Sequence, residues 1–478
     1  MNYIRSSNVQ IEHVINLTHE YYLQCGKISK HNNNNLIGLY FHEIVRFFST
    51  AVSKNEITKQ RYGNNKFLDT EIRFGYRGGV FLYTLDFDMN FKRKFISLFS
   101  KLPIISKRPT LYLGDVSINN ISIIVSAYLK GYKVVYLSNK SKVYIDKFHL
   151  QNKILTSLIG ELCKYCAIES DSQLRLDIDN ALNIVDKYTQ AQTFIDGDVL
   201  VIGTPAKVIN RKASINAFYN NNKVIGVLHS DESGSVNLPS WRYDDRSNCT
   251  HIIGYGPCGD YSYAKERFFS SLSGYNCVYL QSDSETCRVL YDEREDISKL
   301  FDYSKIGKQK GLYISKRIGD VSVTNPYSVI DPLDYEKWQK YLLTKFPEVS
   351  VKVHPKQSYQ FEYKNSVDNK INLLEIVSNC TYDFFIIDNV SSTAFSLIAA
   401  TNKPIIYFNI ESSCLTKEAI SVIKKRVLWV DIDIFNNYNG FEKYKKLEIV
   451  NNFKNHFTPM YSLSDDKISR IDALVGEL

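Results

Sequence analysis

The sequence lacks any long apolar segment. No run of about 18 residues, the length needed to span a bilayer as a helix, is apolar and free of charge. The N-terminal stretch MNYIRSSNVQIEHVINLTHEYYL also lacks the apolar core of a secretory signal. We therefore expect neither a transmembrane helix nor a secretory leader, and we expect a cytoplasmic protein.

Cysteines are few and scattered, nine in 478 residues. Only Cys163 and Cys166 form a CxxC pair, and no second pair follows at the spacing of a zinc site. The pair falls in a helical pattern, which favours two reduced, buried thiols over a metal or redox site. Unpaired cysteines are typical of a reducing compartment.

Glycine-rich phosphate motifs are missing as well. No GxxxxGK[ST] and no GxGxxG follows a predicted strand, which argues against a P-loop or a dinucleotide site. A DxD-type metal motif is not found at a predicted ligand edge either, because DID (Asp431 to Asp433) comes late and is interpreted as a loop. We predict no metal site.

The overall charge is mildly positive. The formal net charge is +8, and 44% of the residues are hydrophobic and 23% charged. These values are ordinary for a folded protein and compatible with an anionic substrate or an anionic membrane surface. The charge is spread along the chain without interleaved aromatic residues, which argues against nucleic-acid binding.

Short Val/Ile-rich strands alternate with helical stretches from RPTLYLGD onward. This pattern predicts an α/β chain with parallel sheets, and its length predicts two or three domains. We assign residues 1–105 to an N-terminal α+β extension of unknown role, 106–304 to a first Rossmann-like domain and 305–478 to a second. A cleft between the two sheets is the expected ligand site.

Polar residues follow three predicted strands of the second domain. His354, Pro355 and Lys356 end VSVKVHPK, where an imidazole and an ammonium could bind a phosphate. The alternative is a histidine satisfied within a turn. Lys316 and Arg317 end GLYISKR, and they are interpreted either as ligands of the same cleft or as solvated surface charge.

The third strand is YDFFIID, which ends with Asp388 and is followed by the hydroxyl residues Ser391, Ser392 and Thr393. Several hydroxyl groups before a helix favour an anion site, although ordinary N-capping needs one of them. Asp388 at the strand tip is more typical of a structural cap than of a catalyst.

One acidic cluster follows a strand of the first domain. GVLHSDESGS places His229, Asp231 and Glu232 where a carboxylate base could face the anion site. The alternative is an acidic loop with a turn glycine, Gly234.

The order of these motifs, from the acidic pair through His-Pro to Ser-Ser-Thr, resembles bacterial GT-B transferases that use CMP-activated sialic acids, Kdo and similar ulosonic acids. The likeness lies mostly in residues 311–435. It implies a GT-B fold in which the second domain holds the donor nucleotide and the first binds the acceptor, with His229 on the acceptor side. The implied donor ligands are listed here: Lys316, Arg317, His354, Pro355, Lys356, Asp388, Ser391, Ser392 and Thr393.

The resemblance implies that His354 binds the CMP phosphate and that Asp231 or Glu232 acts as the base of an inverting enzyme. Ser233 stands between the acidic pair and Gly234, which departs from the family pattern. In a retaining enzyme the nucleophile could be Asp231, Glu232, Asp245 or Asp260.

The function implied by the resemblance is transfer of an ulosonic acid from its CMP donor to a hydroxyl of a surface glycan (capsule, O-antigen or lipooligosaccharide). No cofactor is implied, because the donor carries its own leaving group. The acceptor is a glycan or lipid-linked glycan, with peripheral contact at the cytoplasmic face of the inner membrane. The alternatives are a polyol-phosphate transferase with a CDP-polyol donor, as in teichoic-acid synthesis, and an inactive GT-B protein for binding or assembly.

Overall fold

In the computed structural model the chain is described in twelve segments, several of which have short internal gaps. They are residues 10–21, 44–52, 109–137, 153–182, 194–203, 208–228, 248–255, 278–282, 310–316, 332–354, 363–440 and 470–478. All statements below refer to these residues.

The first sheet has six parallel strands. They are β1 (Thr110–Leu113), β2 (Lys133–Tyr136), β3 (Val199–Ile202), β4 (Lys223–Val227), β5 (His251–Tyr255) and β6 (Val278–Ser282). Their spatial order is β2-β1-β3-β4-β5-β6. The helices described between them are α1 (Asn120–Leu129), α2 (Lys153–Tyr165) and α3 (Val208–Tyr219). β3 reads VLVI and is buried along its whole length, as expected for a parallel strand covered on both faces.

The second sheet has five parallel strands. They are β7 (Gly311–Ile314), β8 (Ser350–Lys352), β9 (Phe384–Ile387), β10 (Ile405–Asn409) and β11 (Leu428–Asp431), in the order β11-β10-β9-β7-β8. The helices described in this unit are α4 (Pro332–Lys345), α5 (Leu373–Ser378), α6 (Thr393–Ala399) and α7 (Lys417–Arg426). Separate apolar cores cover its two faces, one around Phe385 and Phe395 and the other around Trp338 and Phe384.

These two parallel sheets confirm the predicted fold class, an α/β chain of two Rossmann-like units with a GT-B-like architecture. Both sheets begin with the order second, first, third strand, which creates a topological switch point between the first and third strands. In the second unit this point lies between β7 and β9. The domain boundaries at 105 and 304 remain predictions.

The N-terminal extension is helical where it is described. Residues 12–18 and 47–49 are helical, and Val14, Phe48 and Leu158 belong to one buried cluster that joins the extension to α2. The β part of the predicted α+β extension, which we assign to the alternating segment at 61–91, lies outside the described residues. Cys163 and Cys166 are buried in the same cluster and form no disulfide among the described residues, which confirms two buried thiols.

A last helix, α8 (Arg470–Glu477), contacts α1, β5 and β6 of the first unit. Its Leu474 is fully buried in the core of the first sheet. The predicted second domain included this segment, so here the packing differs from the assignment. Chain order alone places residues 470–478 beside the second sheet, whereas the apolar face of α8 is buried against the first.

Polar contacts fix the end of α8 to the amino end of the first sheet. Lys223 Nζ lies 2.5 Å from Glu477 Oε2, and His251 Nε2 lies 3.3 Å from the same oxygen. Lys223 also donates to the Glu477 carbonyl at 2.6 Å. The hydrogen bond from Lys223 lowers the pKa of Glu477.

We expect Glu477→Gln to lower the free energy of unfolding by about 0.5–1 kcal/mol at neutral pH, because the pair is partly exposed. Since the folded-state pKa is lowered, the contribution of the carboxylate is complete above its unfolded pKa of about 4.3 and is lost as the pH falls through the folded value. Urea unfolding of both proteins at several pH values tests this. The exposed Glu348→Gln is the matched control, and an equal effect of the two substitutions would contradict the prediction.

Candidate functional site

The candidate site lies at the carboxyl edge of the second sheet, which we define as the ends of β7, β8 and β9. Ile314 pairs with Lys352 of β8 on one side and with Ile387 of β9 on the other, so these residues form one row across three strands. Lys316 and His354 each stand two residues beyond this row. The row crosses the switch point, where open α/β sheets bind ligands.

Lys316 is only 8% exposed, so it is not a solvated surface lysine. Its main-chain N–H donates to the Tyr335 hydroxyl at 3.0 Å, which fixes the backbone just after β7. Its positive charge acts on the nearby Asp388 carboxyl and favours the ionised form. The alternative of a solvated charge is therefore wrong for this residue, while a role in binding remains a prediction.

Asp388 is fully buried directly after β9. Its Oδ2 accepts hydrogen bonds from the Tyr313 hydroxyl at 2.5 Å and from Trp338 Nε1 at 3.1 Å. Its Oδ1 lies 3.0 Å from the Tyr335 hydroxyl. Burial raises the pKa of Asp388, although the three hydrogen bonds and the charge of Lys316 act in the opposite direction.

The hydrogen bonds continue outward from Asp388. Gln339 Nε2 donates to the Tyr313 hydroxyl at 3.1 Å, and the Tyr363 hydroxyl donates to Gln339 Oε1 at 2.5 Å. We call Tyr313, Tyr335, Trp338, Gln339, Tyr363 and Asp388 the Asp388 network. Burial raises the pKa of Tyr313 and Tyr335 well above the usual value, so both hydroxyls are neutral.

His354 is partly buried at the end of β8. The lysine before it in the strand, Lys352, is 5% exposed and donates from Nζ to the Asp368 carbonyl at 2.9 Å. Burial lowers the pKa of Lys352. Lys352 therefore stabilises the segment that follows β8. Of the residues predicted to bind a ligand at this strand end, His354 is the one that the structure describes.

Thr393 is exposed at the first residue of α6. The remaining predicted site residues lie outside the described residues: His229, Asp231, Glu232, Arg317, Pro355, Lys356, Ser391 and Ser392. The same holds for Asp245 and Asp260. For the acidic cluster, the structure establishes the end of β4 at Val227 and the burial of Leu228. Its role as a base stays a prediction.

The structure adds a polar group that the sequence interpretation missed. Asp431 ends β11 and is not in a loop. Its Oδ1 accepts hydrogen bonds from Asn409 Nδ2 at 2.7 Å and from Trp429 Nε1 at 2.8 Å, so the ends of β10 and β11 are joined at the same edge. The alternation in LWVDID was the available signal, because it continues the strand up to the first aspartate.

The described part of the chain offers no group of three or more His, Cys, Asp or Glu side chains arranged to hold a metal ion. In the same residues, no helix combines the length and hydropathy that crossing a membrane requires. The polar groups of the site include an ammonium and an imidazole, which suit an anionic ligand.

Comparison with known proteins gives a likeness of fold. No protein-family model matches the sequence, and no curated protein matches it. A structure of S. aureus MnaA with UDP aligns with a TM-score of 0.38 and 11% sequence identity, covering 77% of this chain and 92% of that chain. This likeness concerns the fold alone, and the resemblance to ulosonic acid transferases stays a prediction.

Proposed function

We propose that this chain is a glycosyltransferase that moves an ulosonic acid from a CMP-activated donor to a hydroxyl of a bacterial surface glycan. The observation that carries the proposal is the placement of Lys316 and His354 just beyond the ends of the neighbouring strands β7 and β8, where β7 borders the switch point of the second sheet. A cation and an imidazole at this position suit the phosphate of a nucleotide donor.

The proposed reaction forms one bond and breaks another. The oxygen of an acceptor hydroxyl attacks the anomeric carbon, the bond between that carbon and the phosphate oxygen breaks, and CMP departs with the electron pair. Lys316 and His354 stabilise the charge that gathers on the phosphate. Asp231 or Glu232 takes the proton of the acceptor in an inverting reaction.

Neither a metal nor a cofactor has a step in this scheme, since the donor brings its own leaving group. Of the donor ligands proposed from the sequence, four are within the described residues: Lys316, His354, Asp388 and Thr393. The acceptor side is proposed to lie in the first unit, near His229. Contact with the anionic inner membrane is proposed from the net charge of +8.

A thermal-shift panel of CMP, CDP, UDP, GDP and ADP tests the proposal. We expect CMP alone to raise the melting temperature, because binding to the folded state stabilises it by mass action. His354→Ala and Lys316→Ala should each raise the Kd for CMP at least about tenfold, since each removes a charge-assisted contact worth about 1.5–3 kcal/mol. Isothermal titration gives the constants.

His13→Ala is the matched control, because His13 is exposed on a helix of the N-terminal extension and should leave the Kd unchanged. A preference for CDP would favour the polyol-phosphate transferase, and a preference for UDP or GDP would indicate a hexose transferase. No shift with any nucleotide would favour the inactive binding protein. Each of these three results would overturn the proposed donor.

A further inference from the structure

Three oxygen-bearing groups form a closed ring of short contacts: the Asp388 carboxyl and the hydroxyls of Tyr313 and Tyr335. The Tyr313 hydroxyl lies 2.5 Å from Asp388 Oδ2, the Tyr335 hydroxyl lies 3.0 Å from Asp388 Oδ1, and the two hydroxyls lie 3.0 Å from each other. All three residues are almost fully buried, with exposures of 0% and 2%. Each contact is within hydrogen-bonding distance, so each needs one proton between its oxygens.

The two phenols supply two protons for these three contacts. A tyrosine hydroxyl has one hydrogen, and an ionised carboxylate has none. The neighbouring N–H groups do not provide the third, because they point at the ring from outside: Gln339 Nε2 at Tyr313, the Lys316 amide at Tyr335 and Trp338 Nε1 at Asp388. With an ionised Asp388, one pair of buried oxygens would face each other without a proton.

A protonated Asp388 completes every bond. Its O–H donates to one tyrosine, that tyrosine donates to the other, and the second donates back to the free carboxyl oxygen. Each phenolic oxygen then donates one hydrogen bond and accepts two, one from the ring and one from an N–H outside it. This arrangement satisfies both phenolic hydroxyls and both carboxyl oxygens, as buried polar groups require.

We propose that Asp388 carries the third proton at neutral pH and is a positioning residue, whose neutral carboxyl holds Tyr335 and thereby the backbone of Lys316 at the carboxyl edge. The positioning role rests on the proposed function, whereas the protonation does not. Asp388 is fully buried and bonded on both oxygens, so it acts on a ligand through Tyr335 and Lys316.

The hydrogen bonds from Tyr313, Tyr335 and Trp338 lower the pKa of Asp388, but burial, which raises it, is the larger effect. Tyr313 from β7, Tyr335 from α4 and Tyr363 from the segment after β8 are neutral phenols, and burial raises the pKa of all three. Lys316 is the cation beside the ring and works in the opposite direction. Burial has the largest effect on the Asp388 pKa and raises it.

Infrared spectroscopy tests the protonation directly. At pH 7 we expect the wild-type protein to show the carbonyl stretch of a protonated carboxylic acid, shifted when aspartate is labelled with ¹³C at its carboxyl, and missing in Asp388→Asn. Labelling needs no substitution, so the test holds even if the variant does not fold. A spectrum without a label-sensitive acid band at pH 7 would overturn the proposal.

The stability of the same pair of proteins gives a second readout. The folded-state pKa is raised, so the stability contributed by the proton is complete below the unfolded pKa of about 3.9 and is lost as the pH rises through the folded value. Between pH 5 and 7 the unfolding constant of the wild type should therefore rise relative to that of Asp388→Asn by about tenfold per pH unit. A constant ratio over this range would contradict the proposal.

Titration of CMP separates this inference from the proposed function. The wild-type Kd should increase at alkaline pH, as ionisation opens the ring, and this increase should be absent in Asp388→Asn. An acid band without any CMP binding would refute the proposed donor and the positioning role but leave the protonation intact. Identical pH profiles of Kd in the two proteins would overturn the positioning role.

Discussion

Replacing Arg426 by alanine is expected to lower the free energy of unfolding of the second unit by about 3–5 kcal/mol. Arg426 ends α7 and is 1% exposed. Its Nε donates to the carbonyl of Ala399 at 2.9 Å, and its Nη2 donates to those of Thr401 at 2.7 Å and Lys403 at 3.0 Å. Alanine would leave these carbonyls without their donor and would open a cavity.

The shape of the guanidinium explains why the loss should be large. Its planar fork reaches several carbonyls at the end of α6 at once, which a single ammonium cannot do. Burial lowers the pKa of Arg426 to about 9, so the side chain is still charged at neutral pH. We therefore expect Arg426→Lys to lower the free energy of unfolding by less than Arg426→Ala does.

Urea unfolding followed by circular dichroism measures the effect of these substitutions. Lys425→Ala is the matched control, because Lys425 precedes Arg426 on α7 and is exposed, and it should change the free energy by less than about 0.5 kcal/mol. A loss below 1 kcal/mol for Arg426→Ala would mean that water replaces the guanidinium at these carbonyls.

The two sheets could be predicted because their strands read as continuous apolar runs separated by helical patterns. FFII in β9 and VLVI in β3 are buried at every position, and this burial is local information that the sequence carries. Gly131, with φ of +90°, follows the end of α1, and a glycine in this conformation is a common helix stop that the sequence shows directly. Turn and helix chemistry of this kind depends on near neighbours only.

Contacts between distant segments were not predictable in the same way. α8 packs on the first sheet although it follows the second sheet along the chain. The helix sequence RIDALVGE does not indicate which sheet its apolar face contacts. The Asp388 network joins Tyr313, Tyr335 and Asp388, which are 22 and 53 residues apart in sequence. From the sequence Asp388 was interpreted as a cap or a donor ligand. Its role in the network could not be seen there, because its three buried hydrogen-bonding partners lie on other elements of the fold.

The same reasoning explains what could be predicted about the site. Lys316 and His354 were identified because each follows a strand, and parallel strands bring their carboxyl ends to one edge. The burial of Lys316 was missed, because it depends on α4 and on the Tyr335 hydroxyl that holds its amide. The position of a residue after a strand predicts which edge of the sheet it occupies. The burial and contacts of its side chain can be seen only in the folded structure.

Trp338→Ala is the second substitution with a large expected effect, a loss of about 3–5 kcal/mol. Trp338 is fully buried in α4. Its ring meets Phe408 edge-on with centroids 5.5 Å apart and lies 5.9 Å from the ring of Tyr438. Alanine would leave a large cavity between α4 and the second sheet and would remove a donor to Asp388.

Trp338→Phe separates the two losses, because phenylalanine keeps most of the ring contacts and lacks the N–H. We expect it to cost about 1–2 kcal/mol, the cost of removing one of two hydrogen-bond donors from a buried carboxyl oxygen together with imperfect packing. Urea unfolding at pH 7 compares the two variants. Equal losses for Trp338→Ala and Trp338→Phe would contradict the assignment of most of the energy to packing.

A double-mutant cycle with Asp388→Asn then tests whether the indole and the carboxyl act together. Trp338 Nε1 donates to the same Oδ2 that accepts from Tyr313. Because contacting members of one network are not additive, we expect Trp338→Phe and Asp388→Asn to couple by about 0.5–3 kcal/mol. Additive effects would mean that the indole N–H does not contribute to the ring, and the energy of Trp338 would then come from its contacts with Phe408 and Tyr438 alone.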